Sequence, residues 1–163
     1  MEKDIRQSIT DYKMPRYICE ILCNHYAKAF LDMTIICEND TYIFSYDKKN
    51  KRRLVYRELT EIDKLQLVQT LIMINDNNCQ MLIGAERYLI EPELIYSVRN
   101  RTDYNSIGIL FYPDTTMTPF NIKLMRFMDK IGTKNKKKAI NCFELIKDEL
   151  AKNEIYRAKS IAE

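Results

Sequence analysis

The stretch RYLIEPELIYSVRN, Arg87 to Asn100, sets two short apolar runs on either side of a single Glu-Pro-Glu. Proline cannot donate to a strand ladder, and the residue before it is pushed out of helical geometry. The pattern therefore reads as two short strands, YLI and LIYSV, hinged at Pro92. IGILFYP, Ile107 to Pro113, is a third apolar strand, and Asn100 to Ser106 form the turn before it. Three strands this short need helices to cover them, so the flanking segments decide the fold class.

Downstream, Thr118 is placed to cap a helix from Pro119 to about Ile131, with Phe120, Leu124, Phe127, Met128 and Ile131 inward and Gly132 as its stop. A last helix from about Lys136 to Lys152 turns Ile140, Phe143, Leu145, Ile146 and Leu150 inward and trails into a charged tail. Upstream, Thr60 and Asp63 resemble a capping box. Ile62, Leu65, Val68, Leu71 and Ile72 then recur at helical spacing, which predicts a long buried helix over 60–76, ended by the turn formers NDNNC. Before it, Leu54, Val55 and Tyr56 suit a short strand. MTIICENDTYIFSYD is a hairpin turning at Glu38-Asn39-Asp40, with Tyr42, Phe44 and Tyr46 on one face. A helix over 15–28 carries Ile18, Ile21, Leu22 and Tyr26 on one stripe, and the first residues read as a polar start. The order of elements is that of an α+β fold, with one domain over 1–153 and a charged helical tail or linker over 154–163.

Composition excludes several classes. With 26 Lys and Arg against 23 Asp and Glu, the net charge of +3 is small for a nucleic-acid footprint. The start has no apolar core of the kind a signal peptide carries, and the longest apolar run, TLIMI, is far below the roughly 20 residues that span a bilayer. A cytoplasmic location is expected, with the five cysteines, an odd number, reduced. They fall mostly in apolar segments, which makes core thiols the expectation.

Candidate chemistry is thin. The three glycines make no phosphate-binding motif. Cys19, Cys23 and His25 have the residue types of a zinc site but no fourth ligand nearby, so neither a metal nor a cofactor is expected. His25, the only histidine, would also have to serve as base for any Ser or Cys nucleophile, yet no nucleophile signature is present. Glu91 and Glu93 read as a solvated polar loop. The one dense basic run, KNKKK, supplies Lys134, Lys136, Lys137 and Lys138 as an interaction patch for an acidic partner, lipid headgroups or RNA.

The long helix, YLIEPELIY, IGILFYP and two helices together resemble the middle of a protein kinase fold. Laying Pro92 on the proline of the catalytic loop H-R-D-L-K-P-x-N puts Leu89 where the catalytic aspartate would be and Leu94 where the metal-binding asparagine would be. After the next strand, Leu110, Phe111, Tyr112 and Pro113 precede the first carboxylate, Asp114. The Gly-rich loop and the V-A-I-K lysine are absent as well. YLIEPELIYS and ILFYP further resemble the pseudokinase-like cytoplasmic domain of the EssB/YukC component of type VII secretion. They are still closer to a related group of domains found ahead of forkhead-associated domains, with its Y-L-L-x-P-E-x-I-Y signature.

The resemblance implies a degenerate kinase-like fold, with a small hairpin-and-helix N-terminal part and a mainly helical C-terminal part. It also implies a non-catalytic scaffold on the cytoplasmic side, binding protein partners or itself, with no nucleotide, and with Leu89 and Leu94 turned into the core. The full-length protein could be anchored to a membrane. The alternative is a nucleic-acid-binding module using the basic loops 48–53 and 134–138.

Overall fold

The computed structural model describes residues 5–132 and 137–162, with side chains at 137–140 outside the description. It is an α+β fold with two three-stranded antiparallel sheets and five α-helices among those residues. The first sheet joins β1 (Ile5–Thr10), β2 (Asp32–Glu38) and β3 (Thr41–Asp47) in the order β1-β3-β2. The hairpin holds as read, with Glu38 opposite Thr41 across a turn where Asn39 and Asp40 take φ of 47° and 60°. Both residue types tolerate this left-handed geometry. The polar start is in fact strand β1, whose alternate side chains are half-buried. Its isoleucines at 5 and 9 alternate with Arg6, Gln7 and Ser8, too weak a signal beside the charged flanks.

The second sheet runs β4 (Arg52–Arg53), β5 (Ile95–Ser97) and β6 (Ile107–Ile109). The expected strand at Leu54 to Tyr56 lies two residues earlier. Leu54 only extends the pairing through its N–H to Ile95 O at 3.0 Å, and Tyr56–Glu58 is a 3-10 turn. IGILFYP is strand only over its first three residues, and YLI contributes a single antiparallel bridge, Tyr88 to Pro113.

Helix α1 (Arg16–Cys23) buries Ile18 and Leu22. It stops five residues before the expected end because His25 takes φ of 57°, so Tyr26 falls beyond the helix and is exposed. Helix α2 (Glu61–Gln80) is the central beam. Its buried residues include Lys64, Leu67, Val68, Thr70, Leu71, Ile72, Ile74, Asn75 and Asn78, so it is covered on more than one side. The capping box is present: the Thr60 hydroxyl accepts from Asp63 N at 3.1 Å, and the Asp63 carboxylate accepts from Thr60 N at 2.8 Å. Ile62, expected inward, is exposed because it sits in the first turn on the open side. NDNNC does not end the helix. Asn77 Nδ2 donates to Tyr104 Oη (3.0 Å) and Asn78 Nδ2 to Tyr88 Oη (3.1 Å), so tertiary bonds override the turn preference of asparagine.

Helix α3 (Phe120–Ile131) starts after Pro119 without a side-chain cap and ends at Gly132, φ 57°. Thr118 does not cap it: its hydroxyl bonds that of Thr116 at 2.7 Å. Helix α4 (Lys137–Ala151) buries Phe143, Ile146 and Leu150 but exposes Leu145, one position off that stripe. Ile140 lies outside the described side chains. The charged tail forms α5 (Ile155–Ala162), with Ala158 and Ala162 buried against the rest.

Aromatic rings join the sheets and the loop around Pro92. Phe30 meets Tyr88 and Phe111 edge-on, with centroids 4.9 and 5.3 Å apart, and Phe44 of β3 lies 6.2 Å from Phe111. Tyr46 on the same strand donates its hydroxyl to Phe111 O at 2.5 Å. Edge-to-face pairs of this kind add about 0.5–1.5 kcal/mol each beyond area burial. The cap of the central helix offers the cleanest test of local design. Thr60→Ala is expected to cost about 1 kcal/mol in urea unfolding with an unchanged m-value.

Candidate functional site

The loop around Pro92 is fastened at both ends to the extended segment that continues from β6. Leu89 N donates to Tyr112 O (2.9 Å), Asp114 N to Arg87 O (2.9 Å) and Leu110 N to Leu94 O (2.8 Å). Between these ties Pro92–Leu94 makes one 3-10 turn, with proline at its start where the missing N–H costs nothing. Side chains alternate along the extended part: Tyr88 and Ile90 are buried, so Leu89 between them must face the other way. Leu94 is likewise displaced outward by Ile95, which is fully buried.

Leu89 and Leu94 therefore do not point into the core. Both are half-buried and line a shallow depression of about 330 Å³ with Gln7 and Ser8 of β1 and with Tyr112, whose hydroxyl donates to Ser8 O at 3.1 Å. Glu91 is not simply solvated either, since it pairs with Lys130 of α3; Glu93 is exposed.

Beneath the loop lies the main polar cluster, which the sequence reading passed over. Lys123 Nζ donates to Ala85 O and Tyr88 O, both at 2.6 Å, and to Asp114 Oδ2 at 2.7 Å. Its three acceptors match the three protons of an ammonium. Asp114 also accepts from Thr116 N (2.8 Å), Thr116 Oγ1 (2.6 Å) and Thr118 N (3.2 Å). Both charged side chains are almost wholly buried, at 6% and 3% exposure. Burial alone would raise the Asp114 carboxyl, but the Lys123 and Thr116 hydrogen bonds outweigh it and hold the group below the ordinary carboxylate range. Burial pulls Lys123 down, against Asp114 which pulls it up. The complete set of acceptors around Nζ decides for the ionised form. One signal was available: Lys123 stands on the apolar stripe of α3, three residues after Phe120 and four before Phe127. Lys64 does the same on α2, donating to Gly132 O at 2.8 Å to close the end of α3.

The remaining sites are more open. Cys23, His25, Asp32 and Asp47 line a depression of about 450 Å³, where His25 Nδ1 faces Asp32 at 3.3 Å and Lys49 pairs with the same carboxylate. Burial raises Asp32, while Lys49 and His25 lower it further, for a net fall. Cys23 is the last residue of α1. Among the described residues no group of three His, Cys, Asp or Glu is arranged to hold a metal ion. All five cysteines are free, and none is a core thiol: Cys23, Cys37 and Cys79 are exposed, and Cys19 and Cys142 half-buried, each on the rim of its apolar segment. Arg52 and Arg53, from the basic loop 48–53, line a separate cleft with Arg99. The patch Lys134, Lys136, Lys137 and Lys138 lies outside the described positions or side chains.

No family model matches the chain, and no curated protein sequence matches it. Among the described residues no helix is long and apolar enough to cross a membrane.

The buried pair carries two expectations. Lys123→Met should destabilise by about 3–5 kcal/mol, because it strands the Asp114 carboxylate, whereas Lys123→Met with Asp114→Asn should recover much of that loss in urea unfolding. The depressed carboxyl of Asp114 adds stability that is complete above its unfolded value of about 3.9 and is lost as pH falls through the lower folded value. Acid titration of stability should accordingly show a smaller fall below about pH 4 in the double variant than in the wild type.

Proposed function

We propose that the chain is a non-catalytic protein-interaction domain of pseudokinase-like type, acting as a scaffold at the cytoplasmic side for protein partners or a second copy of itself. The observation that carries this reading is the state of three positions in the kinase-like frame. Leu89 and Leu94, at the places of the catalytic base and the metal-binding asparagine, present only methyl groups to their depression. Neither can accept a proton or ligate magnesium. Asp114, the first carboxylate after the following strand, has both oxygens committed to Lys123, Thr116 and Thr118. Releasing it to a metal would leave the Lys123 ammonium buried and uncompensated, a large cost.

Such a frame supports recognition, since a depression walled by leucine and tyrosine offers contact area without chemistry. The reading is tested by thermal unfolding with millimolar ATP and magnesium, against tripolyphosphate and magnesium as a control for general polyanion effects. No stabilisation beyond the control is expected. A specific rise of several degrees, or phosphate release from ATP, would contradict it.

A further inference from the structure

The cleft at the open edge of the second sheet is built from two basic segments that are far apart in sequence. Strand β4 brings Arg52 opposite Ser97 and Arg53 opposite Tyr96. From the other side, Arg99 and Asn100 both take left-handed backbone, with φ of 53° and 59°. That geometry is costly for arginine, and here a cross-brace holds it. The Asn100 carboxamide accepts from Val55 N at 2.8 Å and donates to Val55 O at 3.3 Å, as a strand neighbour would. Ser97, buried, donates its hydroxyl to Arg101 O at 2.5 Å and fixes the floor.

The result is a cleft of about 390 Å³ with Arg52, Arg53 and Arg99 on its walls and no acidic residue in its lining. Among the described residues none of these three guanidiniums has a carboxylate within ion-pair distance. The neighbouring Arg101, by contrast, is paired with Asp103 at 3.2 Å. The Arg53 side chain turns to the Tyr96 side of the strand. There its Nε donates to the Tyr96 hydroxyl at 3.4 Å and Glu93 adds a weaker field, so Arg52 and Arg99 supply the charge of the cleft. Arg52 and Arg99 bring positive charge to the cleft without a carboxylate in its lining, and an anion that enters supplies the counter-charge. Arginine presents planar, two-pronged donors that fit a phosphoryl group better than a lysine's point charge does.

We propose that this cleft binds a phosphoryl group carried on a side chain of a protein partner. The inference deepens the interaction-domain reading and rests on it. The cleft is a single bounded site with an apolar wall at Val55, which suits one modified residue and its neighbour. No aromatic ring lines it, whereas binding of single-stranded nucleic acid without sequence preference relies on bases stacking on such rings.

The test uses the full chain in ~150 mM salt, near physiological ionic strength. Amide spectra and calorimetry follow titration with inorganic phosphate and with degenerate-flank peptide pools carrying phosphoserine, phosphothreonine or phosphotyrosine. Unmodified pools and a single-stranded RNA serve as comparisons. Phosphate should shift the amides of Arg52, Arg53, Arg99 and Asn100. At least one phosphorylated pool should bind, and its unmodified counterpart should not. Arg52→Ala and Arg99→Ala should each weaken that binding about tenfold or more, Arg99→Lys should restore little of it, and Lys28→Ala, at an exposed lysine elsewhere, should leave it unchanged.

The proposal is overturned if no phosphorylated pool binds, if binding survives the double Arg52→Ala, Arg99→Ala change, or if free phosphate alone accounts for it. RNA bound more tightly than any peptide, with a steep salt dependence, would instead mark a nucleic-acid surface and overturn it too. Loss of phosphopeptide binding leaves the interaction-domain reading standing, whereas specific ATP stabilisation removes that reading whatever the cleft binds.

Discussion

A single ammonium group, Lys123 Nζ, ties two separate chain segments to α3 at one point. Its acceptors come from the 3-10 turn at Ala85, from Tyr88 at the start of the proline-hinged loop and from Asp114 in the extended segment after β6, while the lysine itself rides on α3. Backbone carbonyls that leave regular structure inside a protein must find donors, and here two of them find the same one. The loop can therefore run through the interior side of the fold without a helix or a full sheet to satisfy it. A buried ion pair often stabilises a fold no more than a well-packed apolar pair of the same volume. What this pair fixes is where the loop sits.

The aromatic cluster then transmits that position to the first sheet. Phe111 lies two residues before Pro113, the bridge partner of Tyr88, and touches Phe30, Phe44 and Tyr88. Tyr46 reaches the Phe111 carbonyl from β3, and burial pushes its phenol far up, so it stays neutral as a donor. Once Lys123 sets the loop and the strand after it, ring packing sets the angle of the N-terminal sheet. Tyr112, facing the other way, closes the depression against β1 and leaves Leu89 and Leu94 half-open.

Long helices and the hairpin were legible from sequence because periodicity and capping chemistry both pointed the same way. Thr60, Asp63 and the apolar stripe of α2 agree at every level, as do Gly132 and the end of α3. What escaped was set by partners remote in sequence. Asn77 and Asn78 read as helix breakers until Tyr104 and Tyr88 are brought beside them. Strand β1 is recognisable only when paired with β3, and the cleft at Arg52, Arg53 and Arg99 joins residues more than forty positions apart. The inward turn expected of Leu89 and Leu94 neglected the two-residue alternation that gives the core side to Tyr88 and Ile90. Lysines on apolar stripes, at 64 and 123, were the one overlooked local clue to buried polar contacts.

If the loop around Pro92 is a structural brace and not a working catalytic segment, its hydrogen bonds should open only when the whole domain unfolds. Native-state hydrogen exchange resolves this at the amides of Leu89, Leu110 and Asp114, which bond to Tyr112, Leu94 and Arg87. Their opening free energies are expected to equal those of buried α2 amides such as Ile72 and to fall in parallel with them as denaturant is added. Exchange of these three amides through a separate, low-energy opening that leaves α2 protected would show a mobile loop and contradict the account.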